Sequence, residues 1–309
     1  MKRILSHALI TGGTSMLGQA LARHLHKQGV VVTLLVRPDS PRLHAVPASE
    51  NVRLIPCDLA HLSTLSAEKI GTCDAFFHLG WVGTRGRERD DAALQAQNVQ
   101  YTLEAVKLAA RLQCAVFVGA GSQAEYGHAP PPLTPTTPTH PVTAYGKAKH
   151  AAGHLSAEAC RAQGIDHVWA RILSVYGPGD HPDTMMMSCI QSLVCGEPMA
   201  FTAGEPLWDY LYSADAARAL ARMALSGKNG TNYPLGSGHA RPLKEYILEA
   251  RDVLRPGQTM QLGALPTPPG QVSLAADISP LTRDTGFVPQ VPFAEGVRRT
   301  ANWIKEQTQ

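Results

Sequence analysis

The feature that most constrains this chain is a glycine turn set between two patterned segments. A short apolar run, ILSHALI, leads into Thr11-Gly12-Gly13-Thr14-Ser15-Met16-Leu17-Gly18, and an amphipathic stretch, MLGQALARHLHKQG, follows directly. A strand that turns sharply into a helix needs glycine where the backbone is tight. The free amides at the start of that helix, with the positive end of its dipole, favour a negatively charged ligand. The alternation then repeats. Strand-like runs at 4–11, 30–36, 52–56, 75–79 and 114–119 are separated by segments whose apolar residues recur at three- and four-residue spacing, such as LQAQNVQYTLEAVKLAARLQ. Strand and helix in alternation predict an α/β fold, a doubly wound parallel sheet built from βαβ units.

A further helix is expected at 143–163, followed by a strand-like HVWARILSV. Beyond residue 177 Pro and Gly become frequent, with helices expected at 185–195, 214–225, 243–254 and 293–305. The expected division is a dinucleotide-binding domain at 1–175 and a smaller, irregular substrate-binding portion at 176–309, with the chain free to cross back between them. The segment HAPPPLTPTTPTHP reads as a rigid loop, because proline fixes its own torsion and restricts the residue before it.

Composition removes several function classes. No apolar run approaches the roughly 18 residues of a membrane helix, so a soluble, cytoplasmic protein is expected. The net charge of +3 is spread along the chain, so nucleic acid is not implied. Six cysteines occur without C-x-x-C spacing, which argues against a disulfide framework and against a metal centre.

The glycine turn, after a strand and before a helix, stands in the context of a dinucleotide-binding fingerprint. The second strand ends at Val36-Arg37, where an arginine would accommodate the 2′-phosphate of NADP; Asp39 keeps NAD open. Downstream, Tyr145 and Lys149 are four residues apart on a helix and share a face. A phenol of ordinary pKa near 10 is only about 0.1% ionised at pH 7, a gap of roughly 4 kcal/mol. A nearby ammonium and an oxidised nicotinamide supply part of that, so the tyrosine can exchange a proton with a hydroxyl as hydride moves.

These residues, with Ser122 in Gly119-Ala120-Gly121-Ser122-Gln123-Ala124-Glu125-Tyr126-Gly127, resemble the extended short-chain dehydrogenase/reductase family, in its nucleotide-sugar epimerase, dehydratase and reductase branch. The resemblance spans nearly the full chain and implies a Rossmann-type sheet. It includes RILSVYGPG at 171–179, WDYLY at 208–212 with Asp215, and a C-terminal match at 281–303. It implies that Ser122 hydrogen-bonds the reacting oxygen, that Tyr145 and Lys149 also bind the cofactor, and that Lys149 does so through nicotinamide ribose. By the same resemblance Asp58, Leu59, Leu79, Gly80 and Asn98 join Gly12, Thr14, Ser15, Met16, Leu17, Gly18 and Arg37 around the cofactor. It also implies a nucleotide-sugar substrate met by Ser122, Gln123, Ser174, Trp208 and Arg283, and a homodimer.

The departures from the pattern matter. Ser15 stands in place of the middle glycine. Ser174 and Trp208 replace an asparagine and an arginine that engage substrate phosphates in relatives, leaving Arg283 and Arg85 as candidates. Gln123 and Ala124 replace the Asp-Glu pair of the 4,6-dehydratases, so water elimination is not expected, and Glu125, displaced by one, is expected to face away. The resulting expectation is hydride transfer by NADP, favoured over NAD, as a C4 epimerase or a 4-keto reductase. The alternatives are an NADPH-dependent reductase of a non-sugar carbonyl and a non-catalytic dinucleotide sensor.

Overall fold

The computed structural model describes residues 3–46, 49–268 and 270–308. The first half runs β1 (His7–Thr11), α1 (Met16–Lys27), β2 (Val31–Val36), β3 (Val52–Pro56), β4 (Ala75–His78), α2 (Ala92–Arg111), β5 (Val116–Ser122) and α3 (Ala144–Ala162). Next come β6 (Asp166–Ile172), β7 (Ser174–Tyr176), α4 (Met185–Cys195), β8 (Leu207–Trp208), β9 (Tyr210–Tyr212) and α5 (Ser213–Ser226). The chain ends with β10 (Thr231–Leu235), β11 (Arg241–Pro242), α6 (Leu243–Leu254), α7 (Ser279–Thr285) and α8 (Phe293–Thr308).

Seven strands form one parallel sheet in the order β10-β6-β5-β4-β1-β2-β3. This is the doubly wound sheet the sequence predicts. Its inner strands are apolar along most of their length because both of their faces are covered. Leu9, Phe76 and Phe117 pack against α2 on one face, while Ile10, Phe77 and Val118 face α1 and α5 on the other. The strand order reverses between β1 and β4, and the crevice outside the carboxyl ends of the strands at that point is where such sheets bind ligands.

The chain crosses back after its first half. β10 joins the main sheet beside β6, whereas α4, α6 and α8 form a separate cluster around Met186, Ile190, Tyr246 and Val297. β10 lies within NGTNYPLGSG, a segment punctuated by Pro, Gly and Asn rather than an apolar run. β10 lies at the sheet edge, where a proline leaves no interior ladder bond unmade. A third group, Tyr126, Leu133, Leu173, Leu274 and Ala276 with Trp208 against it, links the Pro-rich loop to the C-terminal part. The Leu133 amide donates to Ala275 and its carbonyl accepts from Asp277, which anchors that loop.

Candidate active site

The glycine turn closes against the loop after β4. Gly12 has φ +70°, and a Cβ there would lie 2.8 Å from the Gly80 nitrogen; one at Gly18 would lie 2.3 Å from the Gly12 carbonyl oxygen. Only glycine fits at either place. A Cβ on Gly80 would press on Leu59 and on Thr11 Oγ1, so Gly12, Gly80 and Leu59 meet at the carboxyl ends of β1, β4 and β3. Ser15 caps α1, its Oγ accepting the Gly18 N–H at 3.0 Å, which leaves the hydroxyl proton free to donate to phosphate. Ser40, beyond the end of β2, donates to Thr14 Oγ1. Arg37 and Asp39 are exposed, whereas Arg42 is drawn to the Gly179 carbonyl. Asp58 caps the turn that follows it by accepting from Ala60 N. A backbone cradle at a helix N-terminus suits a dinucleotide pyrophosphate.

Ser122, Tyr145 and Lys149 come together at the carboxyl end of β5. Ser122 is the last strand residue, rather than the first of the loop, and its Oγ accepts from Ala124 N at 3.2 Å. Thr143 caps α3 and sets Tyr145 in its first turn. Close approach of the two elements depends on Gly146, where a Cβ would fall 2.5 Å from the Ala124 carbonyl oxygen. Gly146→Ala is therefore expected to push α3 away from Ser122, costing about 1–3 kcal/mol of stability and about a hundredfold in turnover. A denaturant titration beside a turnover assay checks both.

Burial pushes the Tyr145 phenol above its ordinary value, while the Ser122 hydroxyl and then Arg89 pull it back. Lys149 donates to the Ala120 carbonyl at 2.7 Å and lies 3.6 Å from the centroid of the Trp81 ring. Burial lowers its pKa to about 7, with Glu125 opposing the change. Between about 7 and the ordinary 10.5, the unfolded chain holds a proton on this lysine that the folded chain lacks. Stability from this group therefore rises with pH through that window. Lys149→Met in dinucleotide-free protein is expected to be more stable than wild type below pH 7, by on the order of 3–5 kcal/mol, and to lose that advantage by pH 10. Parallel denaturation curves across pH read the difference.

Several residues at this site carry no motif signal. Glu125 is buried, accepting from Ser122 N at 2.8 Å, Trp169 Nε1 at 3.0 Å and Arg171 Nε at 2.9 Å. Trp169 fits because β5 and α3 offer it glycines: a Cβ at Gly119 would lie 2.2 Å from its ring, and one at Gly153 3.0 Å. Trp81 meets the Tyr145 ring edge-on with centroids 6.1 Å apart and donates to Gln95. Arg89 stacks on the Tyr145 ring, 4.5 Å from its centroid. Arg85, a sequence candidate, pairs with the buried Asp180 at 3.3 Å.

The remaining candidates are placed as follows. Asn98 spends its amide on the backbone of Val82, accepting from its N–H and donating to its carbonyl, both at 2.9 Å. It holds the loop after β4 in place. Leu79 packs on the core face. Gln123 is half-buried beside Ser122, and Ser174 pairs in register with Tyr210. Trp208 is half-buried, with its indole nitrogen shielded and, among the described residues, unpaired. Arg283 lies apart, on a depression of about 460 Å³ lined by Gly238, Asp277, Ile278 and Thr282 and by none of Ser122, Tyr145 or Lys149, and it pairs with Asp284. His150 and His154 stand in H-x-x-x-H spacing on α3, with ring centroids 4.6 Å apart. No third His, Cys, Asp or Glu completes a metal site with them among the described residues. In the same set, no helix is long and apolar enough to cross a membrane.

Comparison with known proteins agrees with this geometry. The model of the NAD dependent epimerase/dehydratase family matches residues 8–236. The dTDP-glucose 4,6-dehydratase of Salmonella typhimurium is 25% identical over 338 aligned positions, covering 97% of this chain and 93% of that protein. Among solved structures, UDP-N-acetylglucosamine 4-epimerase from Methanobrevibacter ruminantium superposes with a TM-score of 0.87 at 23% identity, over 99% of this chain and 100% of the other. The UDP-glucose 4-epimerase of Thermus thermophilus, solved with NAD, gives 0.83 at 20% identity over 97% and 99%. With the glycine cradle, the sheet order and the family match in agreement, this chain belongs to the NAD-dependent epimerase/dehydratase family.

Proposed function

We propose that the chain transfers hydride at a carbon of a nucleotide sugar, as a C4 epimerase or a 4-keto reductase, with Tyr145 as proton acceptor and donor. The observation that carries this reading is the cluster of Ser122, Tyr145 and Lys149 at the carboxyl end of β5, next to the sheet's switch point. A bound nicotinamide dinucleotide supplies the hydride acceptor or donor. The residues that fit it are Gly12, Thr14, Ser15, Met16, Leu17, Gly18, Asp58, Leu59, Leu79 and Gly80, with Lys149 for its ribose and Asn98 holding the adjoining loop.

In this reading Ser122 donates to the reacting oxygen and orients it. Tyr145 takes the hydroxyl proton as the carbon is oxidised and returns it on reduction, while the buried Lys149 favours the phenolate. The relatives named as dehydratases also remove water, which requires an acid and a base beyond this trio. Here Gln123 and Ala124 occupy the two following positions, and Glu125 is committed to Arg171, Trp169 and the Ser122 amide. Elimination is therefore outside the proposal. NADP is the favoured cofactor because Arg37 is exposed at the end of β2 and, among the described residues, has no carboxylate partner; NAD, bound by structural neighbours, is its competitor. A homodimer in the cytoplasm belongs to the same reading.

Trp208 favours a second reading. It packs against the apolar group of Tyr126, Leu133 and Leu173 and brings no charge for a substrate phosphate, which suits a non-sugar carbonyl substrate reduced by NADPH. Nicotinamide absorbance during incubation with a panel of nucleotide sugars separates the possibilities. Stoichiometric loss of NADPH identifies a reductase, and a new sugar with no net loss identifies an epimerase. Reduction of simple carbonyl compounds, with all nucleotide sugars inert, overturns the leading reading.

A further inference from the structure

The loop between β4 and α2 brings to Tyr145 a charge that no sequence motif announces. The Arg89 guanidinium lies 4.5 Å from the centroid of the Tyr145 ring. Arg89 is half-buried, and among the described residues it has no hydrogen bond or ion pair. Its neighbours Glu88 and Asp90 are exposed, and Asp91 is occupied in capping α2 through Ala93 N and Leu94 N. The charge on Arg89 is therefore not neutralised by a bound carboxylate. We propose that Arg89 is a positioning residue for proton transfer, an electrostatic activator that stabilises the Tyr145 phenolate through the face of its ring.

The other charged groups around Tyr145 leave this task open. Lys149, from the same helix, is 5.8 Å from the ring centroid and donates to the Ala120 carbonyl. Its burial brings it to about 7, so near neutrality it is only partly protonated. Arginine keeps its charge throughout. Arg85, from the same loop as Arg89, is balanced by Asp180. Glu125, below Ser122, opposes phenolate formation but is held by Arg171. Trp81 and Ser122 complete the surroundings and bring no charge. Arg89 is thus the permanent positive charge on the tyrosine that no acid offsets, and among the charged groups it is the one that lowers the phenol's pKa most.

The proposal rests on Tyr145 as the proton-handling group, but its test needs no sugar. Tyrosinate absorbance is followed against pH in enzyme saturated with NADP+, and subtraction of the Tyr145→Phe curve isolates Tyr145. Arg89→Gln is expected to move its ionisation up by about one pH unit, a tenfold loss of phenolate below both midpoints. Arg89→Lys, which keeps charge but not the flat stack, is expected to recover most of that shift. Coincident curves for wild type and Arg89→Gln overturn the proposal. So does an Arg89→Lys shift as large as that of Arg89→Gln, which would assign the effect to packing, or a wild-type difference curve with no Tyr145 step. Failure of nucleotide-sugar turnover would instead count against the proposed reaction and leave the titration readable.

Discussion

Tyr145→Phe is expected to lower turnover by about 10²–10⁴-fold, the range spanned by a single positioned acid or base. Dinucleotide binding is expected to stay within a small factor of wild type. The substitution removes one oxygen and leaves the ring, so the edge contact with Trp81 and the stack with Arg89 persist. The glycine cradle is built from β1, α1 and the loop after β4, and none of it depends on the phenol. Isothermal titration with the dinucleotide and a turnover assay on the same preparation check the two halves. Unchanged turnover contradicts a proton-transfer role, whereas loss of binding together with turnover points to a structural role.

Glu125→Ala is expected to cost about 3–5 kcal/mol of stability, because it strands a buried cation. The side chains of Glu125 and Arg171 are 1% and 4% exposed, so water cannot replace the lost partner. The same change leaves the Trp169 indole nitrogen and the Ser122 amide without their acceptor, so the end of β5 loosens as well as the core. Added salt should alter the loss little, since the pair is shielded from solvent. Replacing both partners, as Glu125→Leu with Arg171→Met, is expected to recover part of the stability, limited by those two unpaired donors. Chemical denaturation of the three proteins measures this. A single variant with stability within about 1 kcal/mol of wild type would contradict the account of the pair.

Much of this was legible from residues alone, for physical reasons. β1, β4 and β5 are apolar runs that end in or run into glycine, and α3 is announced by a helical pattern, so the elements that carry Ser122 and Tyr145 were readable. What escaped depends on contacts between distant segments. Glu125 is one residue from where the resemblance puts a dehydratase's acid pair, and only the folded chain brings Arg171 and Trp169 to it across β5 and β6. The slot for Trp169 comes from Gly119, Gly121 and Gly153, which in sequence look like unrelated breaks. Arg89 sits in a polar loop where a solvated charge is the usual outcome, and its stack on Tyr145 follows from how Asn98 and Gln95 hold that loop. Arg283, a candidate phosphate ligand by sequence, lies at a separate depression and pairs with Asp284.

The central claim is that this site moves a hydride and a proton and leaves the substrate's oxygen atoms in place. Mass spectrometry of the product from a converted nucleotide sugar tests it most directly. The account predicts a product of unchanged mass, for epimerisation, or one heavier by two hydrogens, for reduction. A product lighter by one water would contradict it, and would require an acid and base for elimination that Gln123, Ala124 and the committed Glu125 do not supply.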